Sequence, residues 1–338
     1  MLGRMNSRRK PWTDVPSPGR RPVPGTAPAL LAAAALALGS LALSALLASP
    51  AARADAPAAP RASFVEAADG VPLCVYETGN PQGRELLLIH GYSQSYAVFR
   101  QQFDSSLGRD YRIVAFDLRG HGCSGKPWKE EAYTGTRVWA DDVATVIRAT
   151  GLRRPVVVGW SFGGYIAAHY ARHYGVDGIA GIVLVGSNAG LPPEPTDPAI
   201  LERLARLREG KRDMVPDVDA QIANGRNFVK MMTAGPAPAA MQETMFAANQ
   251  MLPVYAQRAM WSLALSNQDV IPALRTRVLF LVGSKDGSQS VEVLRTAAAT
   301  LPDGHVEVIE GSGHAPFIDA PAEFDARLRA FVEATVKR

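Results

Sequence analysis

The 338-residue chain holds only two cysteines, Cys74 and Cys123, so at most one disulfide is possible. Cys74 falls in a strand-like stretch and Cys123 in a glycine-rich loop, and the pair reads as two small packed residues. No cysteine lies near the end of the N-terminal apolar run, which argues against a lipoprotein. The chain also lacks a basic body. Its formal charge of +4 comes from residues 1 to 54, where seven Lys or Arg face a single acid, Asp14, and the remainder balances at about −2. No nucleic-acid partner follows from such a charge. There is no internal repeat, and residues 188 to 272 contain no convincing strand.

What the first 54 residues do contain is a basic start, an alanine-rich apolar run over 29–48, and Ala52-Arg53-Ala54, a small-x-small pattern of the kind cut by signal peptidases. An export leader over 1–54 is expected, cleaved after Ala54, giving a periplasmic or extracellular protein. Membrane contact comes only through this segment, whose length would nearly span a bilayer if it were retained as an anchor. Arg8-Arg9 and Arg20-Arg21 lack the residues of a twin-arginine signal close behind them.

From Ser63 onward strand-like and helix-like segments alternate, with an Asp69-Gly70 hairpin turn near the start. Such alternation predicts an α/β fold, a mostly parallel eight-stranded sheet with helices on both faces and an antiparallel edge. Helices are expected at about 95–108, 136–150, 162–174, 290–301 and 321–336. The sheet domain then runs over 55–187 and 273–338, interrupted by a helical cap at 188–272. All seven methionines beyond residue 5 fall in that interruption. Methionine fills irregular gaps in cores and also makes adaptable apolar pockets. Met231 and Met245, with Trp160 of the sheet domain, are the substrate-binding candidates.

The sharpest local signal is "VVVGWSFGGYIAAHY", residues 156–170. A buried-type strand stops at a Gly-x-Ser-x-Gly turn and restarts as a helix. A serine on such a corner is held in a strained conformation at the C-terminal sheet edge, and glycines two positions either side leave room for the turn. Ser161 is the candidate nucleophile. It needs a base, and the base needs an orienting carboxylate. His314, in "GSGHAPF" after the last strand, reaches the same edge. His305 opens that strand and falls at the far edge. His169 and His173 have the i, i+4 spacing of metal ligands but lack the glutamate of a metalloprotease helix, and read as a solvated face. Asp286, in "VGSKDGS", supplies the carboxylate, with Asp303 and Asp319 as rivals. Backbone N–H groups of Tyr92, in "IHGYSQS", and Phe162 are the oxyanion donors. His90 reads as packing beneath its loop. "GHGCSG" at 120–125 matches a dinucleotide fingerprint but opens no helix, and reads as a loop.

Together "HGYSQS", "DLRGHGCSGKP", "GWSFGG", "GSKDGS" and "GSGHAPFIDAPAEF" resemble, in order, five motifs of the α/β-hydrolase superfamily, over roughly residues 63–337. The resemblance implies a Ser161–Asp286–His314 triad, oxyanion donors at Tyr92 and Phe162, a cap after the sixth strand, and structural roles for Asp117, Arg119 and His121. A serine at the elbow sets the chain apart from the dehalogenase and epoxide-hydrolase branches, which carry aspartate there. "GWSFGG" and "HAPFIDAPAEF" are similar to carboxylesterases such as pimeloyl-acyl-carrier methyl ester esterase, from whose cytosolic role the leader departs. The expected activity is cofactor-free and metal-free hydrolysis of a small-molecule carboxylic ester with a small to medium apolar acyl group. Lactone hydrolysis, perhydrolase or haloperoxidase-type chemistry and carbon–carbon bond hydrolysis are alternatives on the same triad, and a non-catalytic ligand-binding member is another. Oligomeric state is silent in the sequence.

Overall fold

The computed structural model describes residues 59–193, 198, 199, 202, 205, 206, 209 and 217–336. The expected leader over 1–54 lies outside them. Eight strands form one sheet: β1 (Arg61–Glu66), β2 (Pro72–Gly79), β3 (Arg84–Ile89), β4 (Tyr111–Phe116), β5 (Val156–Trp160), β6 (Gly181–Val185), β7 (Val278–Gly283) and β8 (Gly304–Ile309). Their spatial order is β1-β2-β4-β3-β5-β6-β7-β8. β2 pairs antiparallel with both β1 and β4, and every other pairing is parallel.

The apolar runs of β5, β6 and β7 are buried at every position, as strands covered on both faces must be. Side chains alternate between two cores. Leu87, Val157, Ile182 and Phe280 pack on one face with Trp139 of α1 (Thr136–Thr150) and Ile166 of α2 (Phe162–Tyr174). Leu88, Val158, Val183 and Leu279 turn to the other. Between β6 and β7 lie α3 (Val218–Lys230), α4 (Ala239–Met251) and α5 (Val254–Trp261), with no strand among the described residues there. Helices α6 (Val291–Ala299) and α7 (Pro321–Val336) complete the layers, and α7 packs Phe324 and Leu328 into the second core. Among the described residues no helix is long and apolar enough to cross a membrane.

Two readings are corrected here. Cys74 and Cys123 form a disulfide, with Cα atoms 5.9 Å apart. The loop after β4 folds back over β2, where Gly125 N–H donates to Pro72 O at 2.8 Å and Cys74 N–H to Ser124 Oγ at 2.9 Å. That return is a tertiary event, and a sequence separation of 49 gives no sign of it. The histidine pair on α2 is not a solvated face. His169 is fully buried with both ring nitrogens unpartnered among the described residues, while His173 is partly exposed and bonds Thr136.

Candidate active site

Strand order reverses direction around β3 and β5, and open α/β sheets bind ligands outside the carboxyl ends of strands at such a point. Ser161 follows β5 with φ 52° and ψ −115°, outside the regions that L-residues favour. The three non-glycine residues with positive φ among the described residues are Ser93, Ser161 and Ala189, in the loops after β3, β5 and β6. Such strain costs on the order of 1–3 kcal/mol per residue and persists where surrounding structure enforces it. Here the enforcement is close packing. A Cβ on Gly159 would lie 2.5 Å from the Gly163 carbonyl, and one on Gly163 would lie 2.8 Å from the His90 carbonyl. Ser161 N–H is tied to Val185 O at 2.8 Å.

His314 and Asp286 come from the loops after β8 and β7. His314 Nδ1–H donates to Asp286 Oδ2 at 2.9 Å, which leaves Nε2 unprotonated, the form a base requires. Both residues are buried. Burial pushes the Asp286 carboxyl up, but hydrogen bonds and charge from His314 and bonds from Ser288 outweigh it and hold it below the usual aspartate range. Ser288 was not anticipated from sequence. Its N–H and hydroxyl both donate to Asp286 Oδ1, at 2.8 and 2.7 Å, and its oxygen lies 2.9 Å from His314 Nδ1. An Asx-type turn of an acid onto a serine two positions on is the local pattern that could have revealed it.

Gly186, at the end of β6, was also missed. With φ 51°, it sits directly beneath the pair: a Cβ there would lie 2.8 Å from His314 O, 3.0 Å from its Nδ1 and 3.2 Å from Asp286 Oδ2. Trp160 joins the elbow to the histidine loop, its indole N–H donating to His314 O at 2.9 Å.

The loop after β3 presses on the elbow, since a Cβ on Gly91 would lie 3.1 Å from Ser161 Cβ. The Tyr92 and Phe162 N–H groups have no protein acceptor among the described residues, as donors kept for a ligand oxygen would. Two buried histidines brace this loop. His90 Nε2 accepts Leu118 N–H, and His121 Nε2 accepts Ser93 N–H, both at 3.0 Å. Their Nδ1–H groups bond the Gly91 and Arg119 carbonyls. Burial lowers their pKa values to about 4 and about 3, so both stay neutral. Asp117 accepts Tyr96 and Cys123 N–H, and Arg119 forks onto Asp142 at 2.6 and 2.7 Å. The structural readings of these residues match their contacts.

The substrate-binding candidates fare differently. Met231 is 66% exposed where α3 ends, and the chain turning back after the helix buries the neighbouring Met232 instead. Met245 on α4 and Trp160 at the end of β5 are fully buried in the second core, where Trp160 meets Phe317 edge to face. Asp319, a rival for the triad acid, has another task. Its Oδ2 accepts Gly313 N–H at 2.7 Å and Ala234 N–H at 3.0 Å, and Ala315 N–H donates to Met232 O at 2.7 Å. These bonds stitch the turn after α3 to the histidine loop.

Comparison with known proteins agrees with this geometry. A putative aryl esterase from Burkholderia cenocepacia superimposes with a TM-score of 0.73 at 32% identity, covering 82% of this chain and 100% of that one. The esterase RhEst1 from Rhodococcus sp. ECU1013 gives 0.69 at 26% identity, covering 81% and 99%. A pimeloyl-[acyl-carrier protein] methyl ester esterase of Vibrio atlanticus is 26% identical over 75% of this chain and 95% of its own length. Residues 85–321 match the family described as alpha/beta hydrolase fold, and the chain belongs to that family.

Proposed function

We propose that the protein is an exported serine esterase acting on small-molecule carboxylic esters. Ser161 Oγ attacks the ester carbonyl as His314 Nε2 takes its proton; the Oγ–C bond forms and the carbonyl oxygen becomes an oxyanion facing the Tyr92 and Phe162 N–H groups. The C–O bond to the alcohol then breaks, and the alcohol leaves with the proton from His314. Water, deprotonated by His314, attacks the acyl-enzyme, and the carboxylic acid departs as Ser161 regains its proton. Asp286 holds the imidazole in the required tautomer throughout. Neither a metal nor an organic cofactor enters these steps.

The observation that carries the reading is the His314–Asp286 bond at the sheet edge where Ser161 stands in its strained turn. Esterases among the relatives agree with it. The disulfide supports export to an oxidising compartment. Incubation of the purified chain with a fluorophosphonate, followed by mass spectrometry, tests the chemistry. One adduct, absent in Ser161→Ala, is the expected result, and no adduct on folded protein would overturn the proposal in favour of a ligand-binding role. N-terminal sequencing of material from the culture medium or periplasm checks the leader, with a first residue of Asp55 expected.

A further inference from the structure

Wide depressions of about 570 and 620 Å³ lie remote from the triad, the first around the N-terminal ends of β3, β5 and β6. A smaller cleft of about 80 Å³ reaches Tyr92 itself. Its walls come from α3, α4 and α5, and no charged residue lines it. Five amide side chains do: Gln221 and Asn224 on α3, Asn249 and Gln250 on α4, and Gln257 on α5. Asn224 and Gln250 are exposed at its mouth, while Tyr92 is half-buried at its floor.

These amides divide by what they already hold. The inner two are bonded to the loop that offers the oxyanion donor: Tyr92 O–H donates to Gln257 Oε1 at 3.3 Å, and Asn249 Nδ2–H to Ser93 Oγ at 2.7 Å. Gln250 is bonded to Asn249 at 2.9 Å. The side chains of Gln221 and Asn224 hold no protein hydrogen bond among the described residues. They stand one helical turn apart on α3, on the same face. Each offers one acceptor and two donors to whatever enters. A plain alkyl group in this cleft would strip water from amides and give nothing back, and a carboxylate or ammonium would find no counter-charge.

We propose that this cleft is a subsite for a neutral hydrogen-bonding group, an amide or a hydroxyl, carried on the ester at the end remote from the scissile bond. The inference rests on the esterase reading and deepens it. The natural substrate is bipartite: the ester that Ser161 attacks, and a neutral polar group recognised by Gln221 and Asn224. The cleft has room for a group of a few heavy atoms.

Two matched series of esters test it on the purified chain. In one the acyl chain ends in methyl, acetamido or carboxylate at constant length on a 4-nitrophenyl ester. In the other the same three ends are placed on the alcohol of a hexanoate ester. In at least one series kcat/KM for the acetamido member is expected to exceed the methyl member by about tenfold, the size two neutral hydrogen bonds give. The carboxylate member should be the poorest. In the Gln221→Leu/Asn224→Leu double variant the ratio of acetamido to methyl should fall to about one. The Gln221→Glu/Asn224→Asp variant keeps the side-chain shapes and should widen the discrimination against carboxylate. Preference for methyl in both series, or an acetamido preference unchanged in the leucine variant, overturns the subsite while leaving the esterase intact. Failure of every ester together with an unlabelled Ser161 overturns the esterase reading, and the subsite with it.

Discussion

The two halves of the site are built by different means. The half contributed by the sheet is positioned by backbone: Ser161, Asp286 and His314 each stand in the loop following a parallel strand, and strand pairing fixes where those loops begin. The half contributed by the insertion is held by side chains, through Gln257 on Tyr92, Asn249 on Ser93 and Asp319 on Ala234. Main-chain pairing is insensitive to most substitutions, whereas a side-chain contact is lost with one. On the proposed function, reaction chemistry would sit on the part that tolerates sequence change, and selectivity on the part that varies readily.

Breaking the sheet half should give the largest effects. Asp286→Asn keeps the shape of the side chain but offers His314 the wrong hydrogen-bonding partner and removes the charge that stabilises the imidazolium. A loss of roughly 10⁴ in kcat is expected with little change in KM. Steady-state kinetics on a 4-nitrophenyl ester measures it, and a loss below tenfold would remove Asp286 from the triad. Next comes Gly186→Ala. Its Cβ would lie within 3.0 Å of His314 while the backbone holds φ 51°, and a displacement of the base by even 1 Å can cost about 10² in rate. Kinetics alone could mistake this for unfolding, so unchanged circular dichroism at the assay temperature is part of the expected outcome.

The same contrast explains what could be read from sequence. The positions of Ser161, Asp286 and His314 at one sheet edge were legible because each sits in a glycine-marked loop directly after an apolar strand, a pattern that local sequence carries. The mostly parallel eight-stranded sheet and the hairpin at Asp69-Gly70 were legible from the alternation of strand-like and helix-like segments, whereas the order of the strands was not. Gly186 was not, because its necessity depends on two loops that arrive 100 and more residues later. Met231 was mistaken for a pocket residue because composition shows that methionines cluster but not which way each faces; Met232, one position on, is the buried one. His169 looked like a surface residue because α2 is covered on that side by tertiary packing, with Arg172 next along the helix reaching Asp269 from the connection before β7. Cap amides carry no local signature at all.

Asp319→Ala probes the seam between the halves. It leaves Gly313 and Ala234 N–H without their shared acceptor. Hydrogen bonds to a charged group contribute about 1.5–3 kcal/mol each, and water replaces part of that at this half-exposed site, so a stability loss of roughly 2 kcal/mol is expected. Urea unfolding measures it. If the seam positions the insertion over the triad, KM should rise more than kcat falls, and Asp319→Asn, which retains one acceptor oxygen, should recover most of the loss. Equal damage in both variants would mean that the carboxylate charge, rather than the shared acceptor, matters.

The smallest effect at neutral pH is expected from a histidine. His121 and His169 are both buried, and burial brings each down to about 3. An unfolded histidine titrates near 6.5, so the native state lacks a proton that the unfolded chain binds below that pH. Each therefore contributes stability that is fully present above pH 6.5 and is lost as pH falls from there toward about 3, by roughly 1.4 kcal/mol per unit per histidine. The two differ in their bonds. His121 bonds Ser93 and Arg119 through its two nitrogens, whereas both nitrogens of His169 are buried without a partner among the described residues. His121→Leu should be destabilising at pH 7, because Ser93 N–H loses its acceptor beneath the oxyanion loop. His169→Leu removes two unsatisfied polar atoms from the interior and should be neutral or mildly stabilising at pH 7. Both should flatten the decline between pH 6.5 and 4.5 by about one proton. Urea unfolding at several pH values measures the slopes, and a strongly destabilising His169→Leu at pH 7 would mean that its ring nitrogens are bonded in solution, to water if not to protein.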